Sequence, residues 1–194
     1  MKKLVSLLIA MSFLIAAPVM AADVIKIGLM CPLTGSWASE GQDMKQIVQL
    51  LADQVNDQGG LLDKQVEIVV GDDGGDPRTA ALAAQRLATK DVAGVIGTYG
   101  SSITEASQNI YDAAKIIQIA NGSTAIRLTE KGLKYFFRTC PRDDEQGRVA
   151  VETILGQGYE NIAILHDNTT YAKGLADEAL GLLEQEEGAE VVFF

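Results

Sequence analysis

Tyr99-Gly100-Ser101-Ser102-Ile103-Thr104 and Asn121-Gly122-Ser123-Thr124 are the two stretches whose residue types could hold a small polar ligand. Each closes an apolar run, Val92 to Ile96 in the first case and Ile116 to Ala120 in the second, and each run reads as a buried strand. The first stretch passes straight into Glu105 to Ala114, which reads as a helix. A strand that stops at small hydroxyl residues and turns into a helix offers backbone N–H groups to an anion. Two such strand ends, one crossover apart, make a rim for a carboxylate-sized group, which points to a ligand receptor. Helix capping would also explain a Ser or Thr at positions 101 and 124, but two sites in register on adjacent strands favour binding.

Other chemistries can be weighed on the same residues. Gly100-Ser101-Ser102-Ile103-Thr104 is close to a nucleophile elbow, with threonine where the second glycine should stand. A serine hydrolase using Ser102 and His166, the sole histidine, is therefore the enzymatic alternative. His166 closes a predicted strand in a later unit, where a single histidine is usually structural. No G-x-G-x-x-G follows the first strand, so a dinucleotide site is not expected. The acidic loop at Asp72, Asp73 and Asp76 fails as a calcium loop, because Pro77 and Ala83 stand where the pattern needs glycine and glutamate. A turn followed by a helix cap is the better account. Cys31 and Cys140 lack a partner at metal-ligand spacing, and either a disulfide or two free buried thiols is open. No cofactor and no metal are expected.

The elements that must position the rim alternate along the chain. Residues 24–30, 65–70, 92–96, 116–119 and 134–138 read as strands, and 41–56, 77–88 and 105–114 as helices. Asp76 caps the second helix, with Pro77 at its first position. This repetition predicts an α/β fold with a doubly wound, mostly parallel sheet, ligands lying at the carboxyl ends of its strands. A second unit follows Cys140: helix 144–156, strand 161–166, helix 171–187 and strand 189–194. The expected organisation is a signal peptide over 1–22, a ligand-binding lobe over 23–140, and the start of a second, truncated lobe over 141–194. The signal peptide rests on Lys2 and Lys3, the apolar Leu4 to Ala17 and the small residues before Asp23. Its apolar core is short for a membrane span. Cleavage and export to the periplasm follow as expectations. A formal net charge of −10 argues against nucleic acid or anionic membrane as a partner.

Taken together these motifs resemble the periplasmic branched-chain amino acid binding proteins of ABC importers, with the type I periplasmic binding fold. The matching residues are Ile25-Lys26-Ile27-Gly28, Leu33-Thr34-Gly35, Asn56-Asp57-Gln58-Gly59-Gly60, Asp72-Asp73 with Asp76-Pro77, and Ile96-Gly97 with Ser101-Ser102. Arg138-Thr139, Asp144-Glu145-Gln146-Gly147, His166-Asp167 and Tyr171-Ala172-Lys173-Gly174 complete the set. The match is to the first half of the family's length. It implies two lobes closing on an amino acid or small amide, which is delivered to a permease in the inner membrane. A ligand-sensing receptor of the same fold is the alternative that involves no transport. The resemblance assigns ligand contacts to Ser101, Gly122 and Thr124, with Tyr99, Gly100 and Ser123 on the same rim and Tyr171 from the second lobe. The implied partners are a small amino-acid-like ligand and the permease, with the binding protein acting as a monomer and as no enzyme. Where branched-chain binders carry an aromatic residue in the first loop, this chain has Glu40, with Trp37 three residues earlier. A carboxylate there would suit a polar or cationic substrate, and Trp37 could form a stacking wall. Some family members bridge the acidic and serine loops with a disulfide; Gly75 and Gly100 occupy those positions here.

Overall fold

The computed structural model describes residues 23–194; the expected signal peptide lies outside the described residues. Apolar strand runs and amphipathic helices alternate as the patterning predicts. They appear as β1 (Val24–Cys31), α1 (Ala38–Asp57), β2 (Gln65–Asp72), α2 (Pro77–Ala88), β3 (Gly94–Ile96) and α3 (Ser101–Ala114). They continue with β4 (Ile117–Ala120), α4 (Arg127–Glu130), β5 (Phe136–Arg138), α5 (Asp143–Gly156), β6 (Asn161–Ala163), α6 (Thr170–Leu183) and β7 (Glu190–Phe193). The short α4 was not expected from the sequence. The first helix starts at Ala38 and the third at Ser101, each three or four residues earlier than the apolar spacing suggests. Those early turns are polar or small, so periodicity alone does not mark them.

β1 to β5 form one five-stranded sheet in the order β2-β1-β3-β4-β5, with every neighbouring pair parallel. Helices cover both faces. Met44 of α1 packs with Leu29 and Cys31 on one side. On the other, Ala80, Ala83, Ala84 and Leu87 of α2 meet Met30, Val95, Ile103 and Tyr111. The chain runs outward from β1 to β2 on one side and returns to β3 on the other. The cleft between β1 and β3 at their carboxyl ends is therefore the place where loops diverge and a ligand can enter. β6 and β7 form a separate parallel pair, irregular between Ile162 and Ala163. It packs under α5 and α6 through Val151, Ile162 and Leu183.

Local chemistry fixes the loops at the carboxyl edge. The Asp76 carboxylate accepts the Arg78 and Thr79 N–H groups at 3.0 and 2.9 Å, an N-cap worth about 1 kcal/mol. Asp72 ties two loops together. It accepts the Leu33 N–H at 2.8 Å, the Thr34 hydroxyl at 2.8 Å and the Gly74 N–H at 2.9 Å. Burial opposes charge on Asp72, yet these donors hold its carboxyl below the usual range. Thus Asp76 is the helix cap that the sequence suggested, and Asp72 is in addition a fastener between two loops. Both cysteines are free thiols. Burial pushes the Cys31 thiol up to about 12, so it is inert at neutral pH.

Asp73 is the reverse case. It has no solvent exposure, one oxygen accepts the Gly75 N–H at 2.9 Å, and Oδ2 has no partner. Burial, aided by Asp72, pushes its carboxyl from 3.8 up to about 6. The folded protein keeps this proton to higher pH than the unfolded chain, so stability falls as pH rises between those values. Asp73→Asn keeps the acceptor and removes the charge. Melting temperature measured from about pH 4 to about pH 7 is expected to fall less steeply in the variant, which becomes the more stable form at pH 7. A parallel offset at every pH would contradict this assignment.

Candidate functional site

Three loops at the carboxyl edge of the large sheet and two helix starts beyond it enclose a cavity of about 300 Å³, at the small end of the range for small-molecule sites. The loop after β1 supplies Trp37, the loop after β3 supplies Tyr99 to Ser102, and the loop after β4 supplies Gly122 and Thr124. Gln146 of α5, Asp167 and Thr169 before α6, and Tyr171 within its first turn complete the lining. The elements carrying the two sides are linked: the Thr170 hydroxyl donates to Glu105 of α3 at 3.1 Å and accepts from Arg127 at 3.0 Å.

The β3 and β4 ends lie side by side because β3 and β4 are paired in register, Ile96 opposite Ile119. Their loops approach so closely that a Cβ added to Gly122 would lie 2.8 Å from the Tyr99 carbonyl oxygen. Beneath them is a hydroxyl cluster of Thr98, Thr104 and Ser123. Thr104 donates to Ser123 Oγ at 2.6 Å, and Ser123 donates to the carbonyls of Thr98 and Tyr99 at 3.2 Å. Arg138 of β5 clamps the loop from the other side, donating to the carbonyls of Ser123, Ala125 and Ile126 at 3.1, 2.9 and 3.2 Å.

On this frame the polar groups sort into donors and acceptors. No side chain caps α3 at Gly100, and Ser101 and Ser102 of its first turn line the cavity, so their backbone N–H groups are the ones free to meet an anion. Ser101 Oγ accepts the Ala125 N–H at 3.1 Å, which leaves its own hydrogen free to donate. Across the cavity are Asp167, one of whose carboxylate oxygens accepts the Thr169 N–H at 3.0 Å, and Gln146, whose Nε2 donates to Asp143 at 2.8 Å; each keeps an oxygen as an acceptor. The Thr169 hydroxyl accepts the Ala172 N–H at 3.2 Å and caps α6. Thr124 Oγ1 is buried with no partner. The remaining wall is aromatic. The Trp37 and Tyr99 rings meet edge to face, 5.8 Å between centroids at 75°, a favoured geometry.

The structure brings Trp37, Tyr99, Gly100, Ser101, Gly122, Thr124 and Tyr171 to one cavity. Two sequence-predicted residues are elsewhere. Ser123 is fully buried and its hydroxyl is spent on the two strand ends, so it braces the rim without reaching the cavity. Glu40 is in the first turn of α1, where the Ser39 hydroxyl donates to it at 2.7 Å and holds its carboxyl below the usual range. It does not line the cavity, so it gives no reason to expect a polar or cationic substrate. Gln146, Asp167 and Thr169 were missed as lining residues, although two of them stand in motifs quoted for the resemblance. Applying the strand-end rule to β6 as well as to β3 and β4 would have found Asp167 and Thr169. The Ser102–His166 pair does not form a site. His166 does not line the cavity; its Nδ1 accepts the Asn168 N–H at 3.0 Å and its ring lies against Phe194.

A two-sided cavity with N–H and hydroxyl donors on one wall, polar side chains on the other and an aromatic end has the lining expected of a small-molecule site. Comparison with known proteins gives the family. Residues 24–193 match the periplasmic binding protein family, and the chain belongs to that family. It is 38% identical over 158 residues to a Leu/Ile/Val-binding protein homolog 1 of Brucella abortus, covering 81% of this chain and 42% of that protein. It is 38% identical over 174 residues to an amino acid binding protein of Pseudomonas aeruginosa, covering 89% and 46%. Among solved structures, a branched-chain amino acid transporter substrate binding protein from Streptococcus pneumoniae, in complex with isoleucine, aligns at TM-score 0.75 and 28% identity, over 88% of this chain and 49% of that one. The fold is thus that of the type I periplasmic binding proteins, and these relatives are binding proteins, not enzymes. The chain spans about half the length of the relatives it matches.

Trp37 owes its place to two glycines. A Cβ at Gly100 would lie 2.7 Å from the Trp37 ring and one at Gly75 would lie 3.1 Å from it. Gly100→Ala is expected to displace the ring and destabilise the protein by roughly 1–3 kcal/mol, as overpacking does. Because Trp37 is the only tryptophan, its emission spectrum reports the shift directly. An unchanged spectrum together with an unchanged melt would show that the ring is not wedged there.

Proposed function

We propose that this protein is an extracytoplasmic substrate-binding protein of an ABC importer, which holds an amino acid or small amide between two lobes and delivers it to an inner-membrane permease. The observation that carries the reading is the polarity of the cavity. An anion site built from the α3 N-terminus and the Ser101 hydroxyl faces acceptors from α5 and the loop before α6. A zwitterion needs that division, since its carboxylate takes N–H and O–H donors and its ammonium takes oxygen acceptors. The relatives named for Leu, Ile and Val binding, and the isoleucine complex, support an aliphatic amino acid. The apolar wall of Trp37 and Tyr99 suits such a side chain.

In this reading Ser101, Gly122 and Thr124 are the main ligand contacts, with Tyr99, Gly100 and Trp37 beside them and Tyr171 on the opposite lobe. The lobes divide after Cys140. The protein binds and releases without chemistry. Ligand contacts that exist only when both walls are engaged shift the population towards a closed form, the form a permease would recognise. Family membership and the residue pattern of the amino-terminal segment support periplasmic residence. No helix among the described residues is long and apolar enough to cross a membrane.

Titration of Trp37 fluorescence with the protein amino acids, urea and acetamide tests the reading. A saturable change with one ligand class is expected. Ser101→Ala and Thr124→Val should each weaken that ligand about tenfold or more, as loss of a hydrogen bond to a charged group does. No saturable response by fluorescence or thermal shift to any of these ligands would overturn it.

A further inference from the structure

Asp143 opens α5 with no solvent exposure. A carboxylate is costly to bury, so its partners indicate what it is kept for. Its N–H donates to the Thr124 carbonyl at 3.0 Å, which ties α5 to the loop after β4. Its Oδ1 accepts the Gln146 side-chain Nε2 at 2.8 Å. Its Oδ2 has no partner and faces Gly174, where an added Cβ would lie 3.7 Å away. Burial raises its carboxyl above the usual range and Asp144 adds to this, while the Thr124 hydroxyl and Arg138 favour its charge.

An unrestrained glutamine can turn either its oxygen or its nitrogen towards a ligand. A carboxylate accepts only, so Asp143 fixes the amide with nitrogen inward. Gln146 lines the cavity, and the group left for the ligand is its carbonyl oxygen. We infer that Asp143 is a positioning residue that locks Gln146 as a hydrogen-bond acceptor, and that this pair selects ligands carrying an N–H donor, ammonium or amide, over matching acids that lack one. The inference rests on the amino-acid reading above and adds the residues that enforce it. Asp143 does not itself touch the ligand.

The test compares L-leucine with 4-methylpentanoate, the same molecule without its amino group, by calorimetric titration of the intact protein. The wild type should prefer leucine by about tenfold or more. Gln146→Met keeps length and removes the acceptor. It should weaken leucine about tenfold and leave 4-methylpentanoate within about twofold, so the preference collapses. Asp143→Asn can pair with Gln146 in either sense. It should lower the preference while both ligands still bind, and should change nothing further in the Gln146→Met background, as expected for residues acting as a unit. Thermal melts confirm that each variant is folded. If Gln146→Met weakens both ligands equally, or neither, the inference is overturned while the binding reading stands. If the wild type binds neither leucine nor any other protein amino acid, the binding reading falls and takes this inference with it.

Discussion

The site depends on the close, fixed approach of two neighbouring strand ends. β3 and β4 are short, three and four residues, and their pairing alone could not hold the loops beyond them in one geometry. The hydroxyl of Ser123 and the guanidinium of Arg138 do so from opposite sides, each binding more than one backbone carbonyl of these loops. Each such hydrogen bond is worth about 1 kcal/mol, and together they leave the loop few alternative conformations. That rigidity places the α3 N-terminus, the Ser101 hydroxyl and Thr124 on one wall before any ligand arrives, and a preformed wall avoids the cost of ordering on binding.

A second consequence follows at the aromatic end. Glycine at 75 and 100 opens a slot that the Trp37 ring fills, so the loop after β1 is held by packing against the two loops it touches. Asp72 reinforces the arrangement by binding the backbone of Leu33 and the side chain of Thr34 across the same gap. The cavity wall is therefore built from all three loops of the switch-point region, and a change in one is felt by the others. The opposing wall has a different character. Asp167 is exposed and Gln146 half-buried, and only Gln146 is anchored by a buried partner.

Much of this was legible in the sequence, for identifiable reasons. The parallel α/β architecture follows from alternating apolar runs and helical spacing. The rim at Ser101, Gly122 and Thr124 follows from hydroxyl and glycine residues closing those runs. The errors have physical causes too. Ser123 has the residue type of a contact, but the tight approach at Gly122 turns it inward to brace the strands. Glu40 was paired with Trp37 by loop spacing, yet α1 begins at Ala38, which puts Glu40 within a helical turn and Trp37 outside it. Asp167 and Thr169 follow the end of β6 and were overlooked there, whereas Gln146 depends on how α5 sits against the large sheet, and no local pattern encodes that placement. The role of Asp143 was likewise hidden, because four acidic and amide residues in a row read as an ordinary helix start.

Amide chemical shifts of the ¹⁵N-labelled protein, followed as L-leucine is added, test the central claim most directly. The account predicts that the largest changes fall on Ser101, Ser102 and Thr124, with a second group at Gln146 and Thr169, and that the β2 edge of the sheet stays still. Changes centred on another part of the molecule, with these amides unmoved, would contradict it.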